Sequence, residues 1–139
     1  MENKGEVIIY ETEDGLTKID VKLEDENIWL TQEQLVLLFQ SSKSNVSEYI
    51  KNIYEEGKLI EETTVRKFRT VQKEGNRKVT RELLYYNLDM IISFGYRVKS
   101  SVATRFRIWA TERLKEYLIK GFTMNDARLK ELGGGNYWK

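Results

Sequence analysis

Apolar residues recur at helical spacing in two short segments of the chain, residues 31–39 and 44–56. Four residues without an apolar side chain, 40–43, separate them. Two short amphipathic helices around a tight polar turn are typical of a helix-turn-helix, so the pattern predicts one here with residues 44–56 as the second helix. The inward positions are Leu35, Leu38 and Phe39, then Val46, Tyr49, Ile50, Ile53 and Tyr54.

Strand-like alternation flanks this helix pair on its N-terminal side. Residues 6–10 and 17–23 predict two strands, and Asp14-Gly15 between them is a hairpin signal. A short extended piece, residues 28–30, is expected to pair with them and to lead into Thr31 as a helix N-cap. We expect this acidic hairpin to close the core.

Residues 64–85 predict a second hairpin that turns at residues 73–76. A hairpin directly after a helix-turn-helix is the wing of a winged-helix fold, and this one is strongly basic. Its basic residues are Arg66, Lys67, Arg69, Lys73, Arg77, Lys78 and Arg81.

The remainder of the chain predicts helices. A short one, residues 88–94, is capped by Asn87 and broken by Gly95; a long one runs from Ser100 or Ser101 to about Lys120, where Gly121 ends it; a last one spans 125–132. Ile108 and Ile119 of the long helix face away from its core side. That core side is Val102, Phe106, Trp109, Ala110, Tyr117 and the stem of Arg113.

The predicted fold is α+β: a winged helix-turn-helix with an N-terminal β-hairpin and a C-terminal helical extension. We expect one domain over residues 1–139, because this length suits a single core. Its parts are the hairpin 1–30, the winged helix-turn-helix 31–86, the extension 87–132, and 133–139 as the start of a linker to a C-terminal part outside this sequence.

Charge is segregated along the chain although the net charge is only +1. Residues 1–40 hold three basic and ten acidic residues, whereas residues 63–82 hold seven basic and two acidic residues. Residues 83–139 are also basic, with ten against five. A surface with one sign of charge favours an oppositely charged partner for the basic part.

The chain has no Cys and no His. This composition excludes a thiol nucleophile, a His general base and zinc sites built on these ligands. Adjacent carboxylates such as Asp25-Glu26 lack a nearby catalytic partner, and Gly133–Gly135 lacks the context of a phosphate loop. We therefore expect no enzyme, no cofactor and no metal; a small hydrolase or nuclease that uses carboxylates and Mg²⁺ is the enzyme alternative that this composition leaves open. No secretory signal or membrane span is visible, so we expect a cytoplasmic protein.

Double-stranded DNA is the partner that the helix pair and wing favour. Short polar side chains on the outer face of the second helix suit base edges, and Lys51 reaches phosphate or guanine. The alternatives are a plain helix pair with a solvated face and a basic hairpin that blocks sheet aggregation. The candidate DNA-binding residues outside the wing are Ser42, Lys43, Ser44, Asn45, Ser47 and Lys51.

Two further interpretations remain open. Arg97, Lys99, Arg105 and Arg107 either extend the positive surface or are solvated flanks of core elements. Alternatively, the domain is a protein-interaction or dimerisation module of a larger protein, in which outward Ile108 and Ile119 contact a second copy or another partner.

From about residue 7 to its end, the chain resembles the N-terminal part of the RhuM-type virulence proteins of bacterial genomic islands. The most specific strings are GYRVKS at 95–100, FRIWAT at 106–111 and LKEYLIKGF at 114–122. The helix that contains FRIWAT also looks like the one that ends the Bro-N and KilA-N phage DNA-binding domains. The resemblance implies a mobile-element or phage-linked origin and implies no reaction. Together with the predicted DNA binding, it leads us to expect a regulator linked to a mobile element or genomic island.

Overall fold

The computed structural model describes the backbone of residues 5–131 and the side chains of residues 5–71 and 73–120. Within this range the fold is mixed α+β, with an open antiparallel sheet and five helices. In chain order the elements are β1 (Glu6–Glu11), β2 (Lys18–Glu24), β3 (Asn27–Leu30), α1 (Gln32–Phe39), α2 (Lys43–Glu55), α3 (Glu61–Thr64), β4 (Val65–Glu74), β5 (Arg77–Asn87), α4 (Leu88–Arg97) and α5 (Ser101–Glu131).

The five strands form one antiparallel sheet in the order β1-β2-β3-β5-β4. The N-terminal hairpin pairs Tyr10 with Ile19, and Gly15 adopts the positive φ that its tight turn requires. Strand β3 then joins the two hairpins through the pairs Trp29–Asn87 and Leu30–Tyr86. The chain therefore leaves the sheet after β3, builds the helix pair, and returns to the same sheet.

One face of the sheet and the helices form a single core. Strict alternation along β2 buries Ile19, Val21 and Leu23 on this face, as the sequence predicted. The cross-strand pairs Leu23–Ile28 and Leu30–Tyr86 extend the same buried face. The helical residues packed on it are Leu35, Leu38, Val46, Ile50, Ile53, Met90, Ile91, Phe94, Phe106 and Ala110.

The predicted helix starts at Thr31 and Asn87 are confirmed. The Thr31 hydroxyl accepts from the Gln34 N–H at 3.2 Å, and the Gln34 side chain accepts from the Thr31 N–H at 2.9 Å, which is a complete capping box. The Asn87 side chain accepts from the Met90 N–H at 3.2 Å. Before α5, the Ser100 hydroxyl accepts from the Val102 N–H at 3.1 Å.

Gly95 does not break α4, contrary to the prediction. It lies inside the helix, which continues to Arg97, and it is buried. A Cβ at this position would lie 2.4 Å from the Ala103 Cβ and 2.9 Å from a ring carbon of Phe39. The glycine is therefore required by the close approach of α4 to α5 and α1, because any side chain would separate them.

Two further boundaries differ from the sequence analysis. Helix α5 passes through Gly121 and continues to Glu131, so the predicted stop at Gly121 and the separate helix 125–132 are wrong; residues 132–139 lie outside the described residues. A single glycine costs a helix interior only about 1 kcal/mol, which a long helix tolerates. In addition, the single-turn helix α3 (Glu61–Thr64) was not predicted from the sequence.

The β4–β5 hairpin extends beyond the rest of the sheet. Within β5, strand β3 pairs only with Tyr86 and Asn87. From Arg77 to Tyr85, strand β5 therefore has β4 as its sole partner strand among the described residues. At about 3.3 Å per residue, this two-stranded arm is about 27 Å long. The predicted turn is confirmed as a tight one, with Gly75 at positive φ.

Candidate nucleic-acid interface

Helix α2 presents the polar face that the sequence predicted. Val46, Ile50 and Ile53 are buried against the core, whereas the opposite side chains are exposed. Glu48 is also exposed there and offsets the charge of Lys51, so this face alone carries little net attraction for DNA. The exposed candidates on this helix are Lys43, Ser44, Asn45, Ser47 and Lys51.

Ser42 has a structural role at the start of α2. Its hydroxyl oxygen accepts from the Asn45 N–H at 3.0 Å, which makes it the N-cap. The three-residue turn before α2 starts at Gln40, whose left-handed φ of 51° closes α1 tightly. This short turn holds α1 and α2 in a fixed relation.

The hairpin register divides the basic residues between two faces. Val65 pairs with Tyr86 on the core side, so alternate residues from Val65 belong to the face that the helices also occupy, here called the helix-side face. The opposite surface is called the back face. The helix-side cations are Lys67, Arg69, Lys73 and Lys78, and the back-face cations are Arg66, Arg77 and Arg81.

The helix-side cations are exposed, and none forms an ion pair with a described residue. Glu82, the acidic residue on this face of the hairpin, is the cross-strand neighbour of Arg69 in the backbone register. Val71, 64% exposed, lies among these cations near the tip of the arm. The result is an elongated positive surface on the helix side of the arm.

Two of the three back-face cations have protein partners instead. The Arg81 guanidinium donates to both carboxylate oxygens of Glu74, at 2.7 and 2.9 Å. This hydrogen bond lowers the pKa of Glu74 and raises the pKa of Arg81. Arg66 forms an ion pair with Asp25 and lies over the Trp29 ring, 4.7 Å from its centroid.

An aromatic cluster supports the base of the arm on its back face. Phe68 makes edge-on contacts with Trp29 and Tyr85, with ring centroids 5.4 and 5.3 Å apart. The Lys22 amine lies 4.7 Å from the Phe68 centroid. This cluster was not predicted from the sequence, although Phe68 and Arg66, like Leu83 and Tyr85, are two residues apart and therefore share one face of their strand. These contacts stabilise an arm that two strands alone would leave marginal.

A cleft of about 550 Å³ connects the helix pair to the arm. Its walls include Glu33 and Val36 of α1, Lys43 at the start of α2, and Glu82 and Leu84 of β5. The cross-strand partners of Glu82 and Leu84 are Arg69 and Lys67. The structure thus brings the start of α2 and the base of the helix-side cations to the borders of one concave surface.

In the second basic group, Arg97 and Arg105 have acidic partners and so do not extend this surface as free charges. Arg97 donates to both carboxylate oxygens of Glu56, at 3.1 and 2.5 Å, and this hydrogen bond lowers the pKa of Glu56. Arg105 lies 3.5 Å from the Glu13 carboxylate. These ion pairs join α4 to the end of α2, and α5 to the N-terminal hairpin.

The C-terminal helix largely follows its predicted orientation. Phe106 and Ala110 are buried and Trp109 and Tyr117 are partly buried, whereas Ile108 is exposed. Ala103, the buried residue against Gly95, was not predicted as a core residue. Arg113 is partly buried, and its Nε has no hydrogen-bond partner among the described residues.

Among the described residues, no helix combines the length and apolar composition that a bilayer-spanning segment requires. Nowhere among the described side chains do three or more acidic residues gather closely enough to ligate one metal ion.

Comparison with known proteins identifies one family. The model of the virulence protein RhuM family matches residues 63–139, which is more than half of the chain and includes β4, β5, α4 and α5. No curated protein and no solved structure matches the chain. On the extent of this match, the chain belongs to the RhuM virulence protein family.

Proposed function

We propose that this protein binds double-stranded DNA through a winged helix-turn-helix made of β3, α1, α2, β4 and β5. The order of these elements, and a sheet in which β3 pairs with β5 and β5 with β4, fit the order strand, helix, helix, wing of that fold. In this proposal α2 enters the major groove and the arm contacts the adjacent backbone.

The observation that carries the proposal is the helix-side face of the arm. Four exposed cations there have no ion-pair partner among the described residues, while neighbouring arginines on the back face are neutralised by Glu74 and Asp25. If the cations served only to protect the sheet edge from aggregation, their pairing would not need to differ between the two faces of the arm. A polyanion along the helix side explains this difference.

Each candidate side chain has an expected role that follows from its position on α2 or on the arm. Ser44, Asn45, Ser47 and Lys51 approach bases; Lys43 and the helix-side cations Lys67, Arg69, Lys73 and Lys78 contact phosphates. Ser42 contributes indirectly, because its side chain caps the N-terminus of α2. Arg66 and Arg81, expected from the sequence to contact DNA, are assigned to holding the arm instead; Arg77, at the tip, remains a phosphate candidate.

A salt titration tests this proposal. Five phosphate contacts predict that the logarithm of the association constant falls with the logarithm of salt concentration with a slope of about −4.5. Fluorescence anisotropy of a labelled duplex between 50 and 200 mM salt measures it, with single-stranded DNA of the same length as control. Absence of duplex binding at 50 mM salt, or binding indifferent to salt, contradicts the proposal.

Membership in the RhuM family and the resemblance of the α5 sequence to the last helix of Bro-N and KilA-N domains support a regulator linked to a mobile element or genomic island. Footprinting on the DNA flanking its own gene tests this role. Protection of a discrete site supports regulation, whereas uniform coverage indicates binding without regulation.

A second candidate function, a protein-interaction or dimerisation module, is favoured by a specific observation. Ile108, Leu118 and Ile119 of α5 are 52%, 47% and 61% exposed. Light scattering across a range of concentrations tests it, since a monomer at every concentration without DNA removes the self-association part of this candidate.

A further inference from the structure

Four side chains form a stripe on the outer side of α5, here called the α5 stripe: Ile108, Glu112, Lys115 and Ile119. At 3.6 residues per turn they lie within a sector of about 60°. All four are exposed, although two of them are large aliphatic residues. The opposite side of the same helix packs Phe106 and Ala110 into the core.

The α5 stripe is complementary to itself when its direction is reversed. Its midpoint lies between residues 113 and 114, with an isoleucine at each end. Glu112 and Lys115 lie at equal distances from that midpoint and carry opposite charges. A second copy in antiparallel orientation therefore places Ile108 against Ile119 and Glu112 against Lys115, and symmetry makes each contact twice.

The charges of Glu112 and Lys115 are available to a partner, because their contacts within the chain are few. Lys115 forms no ion pair with a described residue, and Glu112 has a single long contact, 3.8 Å, with Arg113. Arg113 itself makes its shorter contact, 3.0 Å, with Glu116. An antiparallel partner can therefore pair with Lys115 without displacing a described ion pair.

We propose that two copies of this chain associate through an antiparallel pairing of the α5 stripe about a two-fold axis at residues 113–114. Glu112 and Lys115 carry opposite charges at equal distances from the midpoint of the stripe. This arrangement favours a second copy of the chain as the partner and an antiparallel orientation. A parallel copy would place Glu112 on Glu112 and Lys115 on Lys115, and such like-charge contacts are unfavourable. This association is independent of the proposed DNA binding.

Sedimentation equilibrium of the 139-residue chain without DNA tests the proposal. The wild type is expected to dimerise as concentration rises. Glu112→Lys alone and Lys115→Glu alone each create two like-charge contacts, so each is expected to raise the dissociation constant about tenfold or more. The double variant E112K/K115E exchanges the charges and is expected to restore dimerisation.

Ile119→Lys is expected to weaken the dimer in the same way, and Ile60→Lys is its matched control. Ile60 is 64% exposed in the loop before α3, so its replacement is expected to leave the dimer unchanged. Circular dichroism verifies that each variant is folded. A wild type that stays monomeric, or a double variant that stays as weak as the single variants, overturns the proposal.

Cysteine cross-linking tests the orientation separately, because the chain has no native cysteine. A mixture of Ile108→Cys and Ile119→Cys proteins is expected to form a disulfide-linked dimer under mild oxidation. Ile108→Cys alone is expected not to, because its two copies would lie about 16 Å apart along the helix axis. Efficient cross-linking of Ile108→Cys alone would overturn the antiparallel orientation.

Discussion

The two faces of the β4–β5 arm differ in what their cations contact. On the back face, Arg81 is held by Glu74, and Arg66 by Asp25 and the Trp29 ring. On the helix-side face, Lys67 and Lys78 have no ion-pair partner among the described residues. The faces alternate residue by residue, so neighbours such as Arg66 and Lys67 have different surroundings.

This difference shows that a dense run of basic residues need not form one functional surface. The two-residue period of a strand distributes it to opposite sides, and each side then meets its own partners. On the back face those partners are rings and carboxylates of the same chain, which stabilise the arm. On the helix side the charge remains available to an external anion.

The largest expected effect is on the stability of the back face. Trp29→Ala removes a ring that is only 3% exposed and contacts Phe68, so we expect a loss of about 3–5 kcal/mol in unfolding free energy. Urea denaturation measures it. Val71→Ala, an exposed substitution on the helix-side face, is the control and should change stability by about 0.5 kcal/mol or less. Equal losses of unfolding free energy in the two variants would contradict the stabilising role of the back-face contacts.

The next largest effect is expected on DNA affinity. Lys67→Gln/Lys78→Gln removes two proposed phosphate contacts, and at 0.1 M salt each contact contributes about eightfold, so affinity should fall about 60-fold and the salt slope by about 2. Arg66→Gln/Arg81→Gln changes the net charge equally and should leave the slope nearly unchanged. Equal losses in both double variants would show that total charge, and not the face, determines binding.

A smaller expected effect on DNA affinity distinguishes side chains that contact bases from side chains that contact the phosphate backbone. Lys51→Ala on α2 should cost about 1–3 kcal/mol at a preferred site and relax sequence preference, because it removes a proposed base contact. Lys78→Ala should weaken all duplexes alike and reduce the salt slope by about 1. Anisotropy titrations with a selected site and a scrambled site measure both. A Lys51→Ala variant that keeps its preference would remove Lys51 from the base-reading residues.

The smallest expected effect concerns pH. The Arg81 hydrogen bond lowers the pKa of Glu74 below its ordinary value of 4.5. Stabilisation of the arm by this pair should therefore be fully present above about pH 4.5 and be lost as pH falls through the lowered pKa. An NMR titration of the Glu74 carboxyl measures the shift, and Arg81→Gln should return the pKa towards 4.5. An unchanged pKa in Arg81→Gln would show that this hydrogen bond is not its cause.

Local structure was largely predictable because its signals are local. The alternation in β2, the capping residue Thr31, and the apolar spacing of Val46, Ile50 and Ile53 each require only neighbouring residues, and the structure confirms all of them. Gly95 shows the limit. A glycine near a helix end resembles a stop, and only the position of Ala103 on another helix shows that it permits close packing.

The candidate interface was predictable as a list of residues and not as a surface. Sequence indicated that residues 66–81 are basic and that α2 has a polar face. The two-residue period of a strand, which places Lys67 and Arg66 on opposite faces, could also be inferred from the sequence. The sequence held no sign that Asp25, 41 residues earlier in the chain, would neutralise Arg66, because β3 must first join the two hairpins.

By itself, the sequence determined the helix pair, the two hairpins, their caps and turns, and the segregation of charge, since these follow from spacing and composition over a few residues. Only the tertiary structure decided which cations of the arm remain unpaired, which glycine is a contact point, and that Lys43 borders the same cleft as the base of the arm. These properties depend on residues distant in the chain, and the sheet pairing of β3 with β5 brings them together.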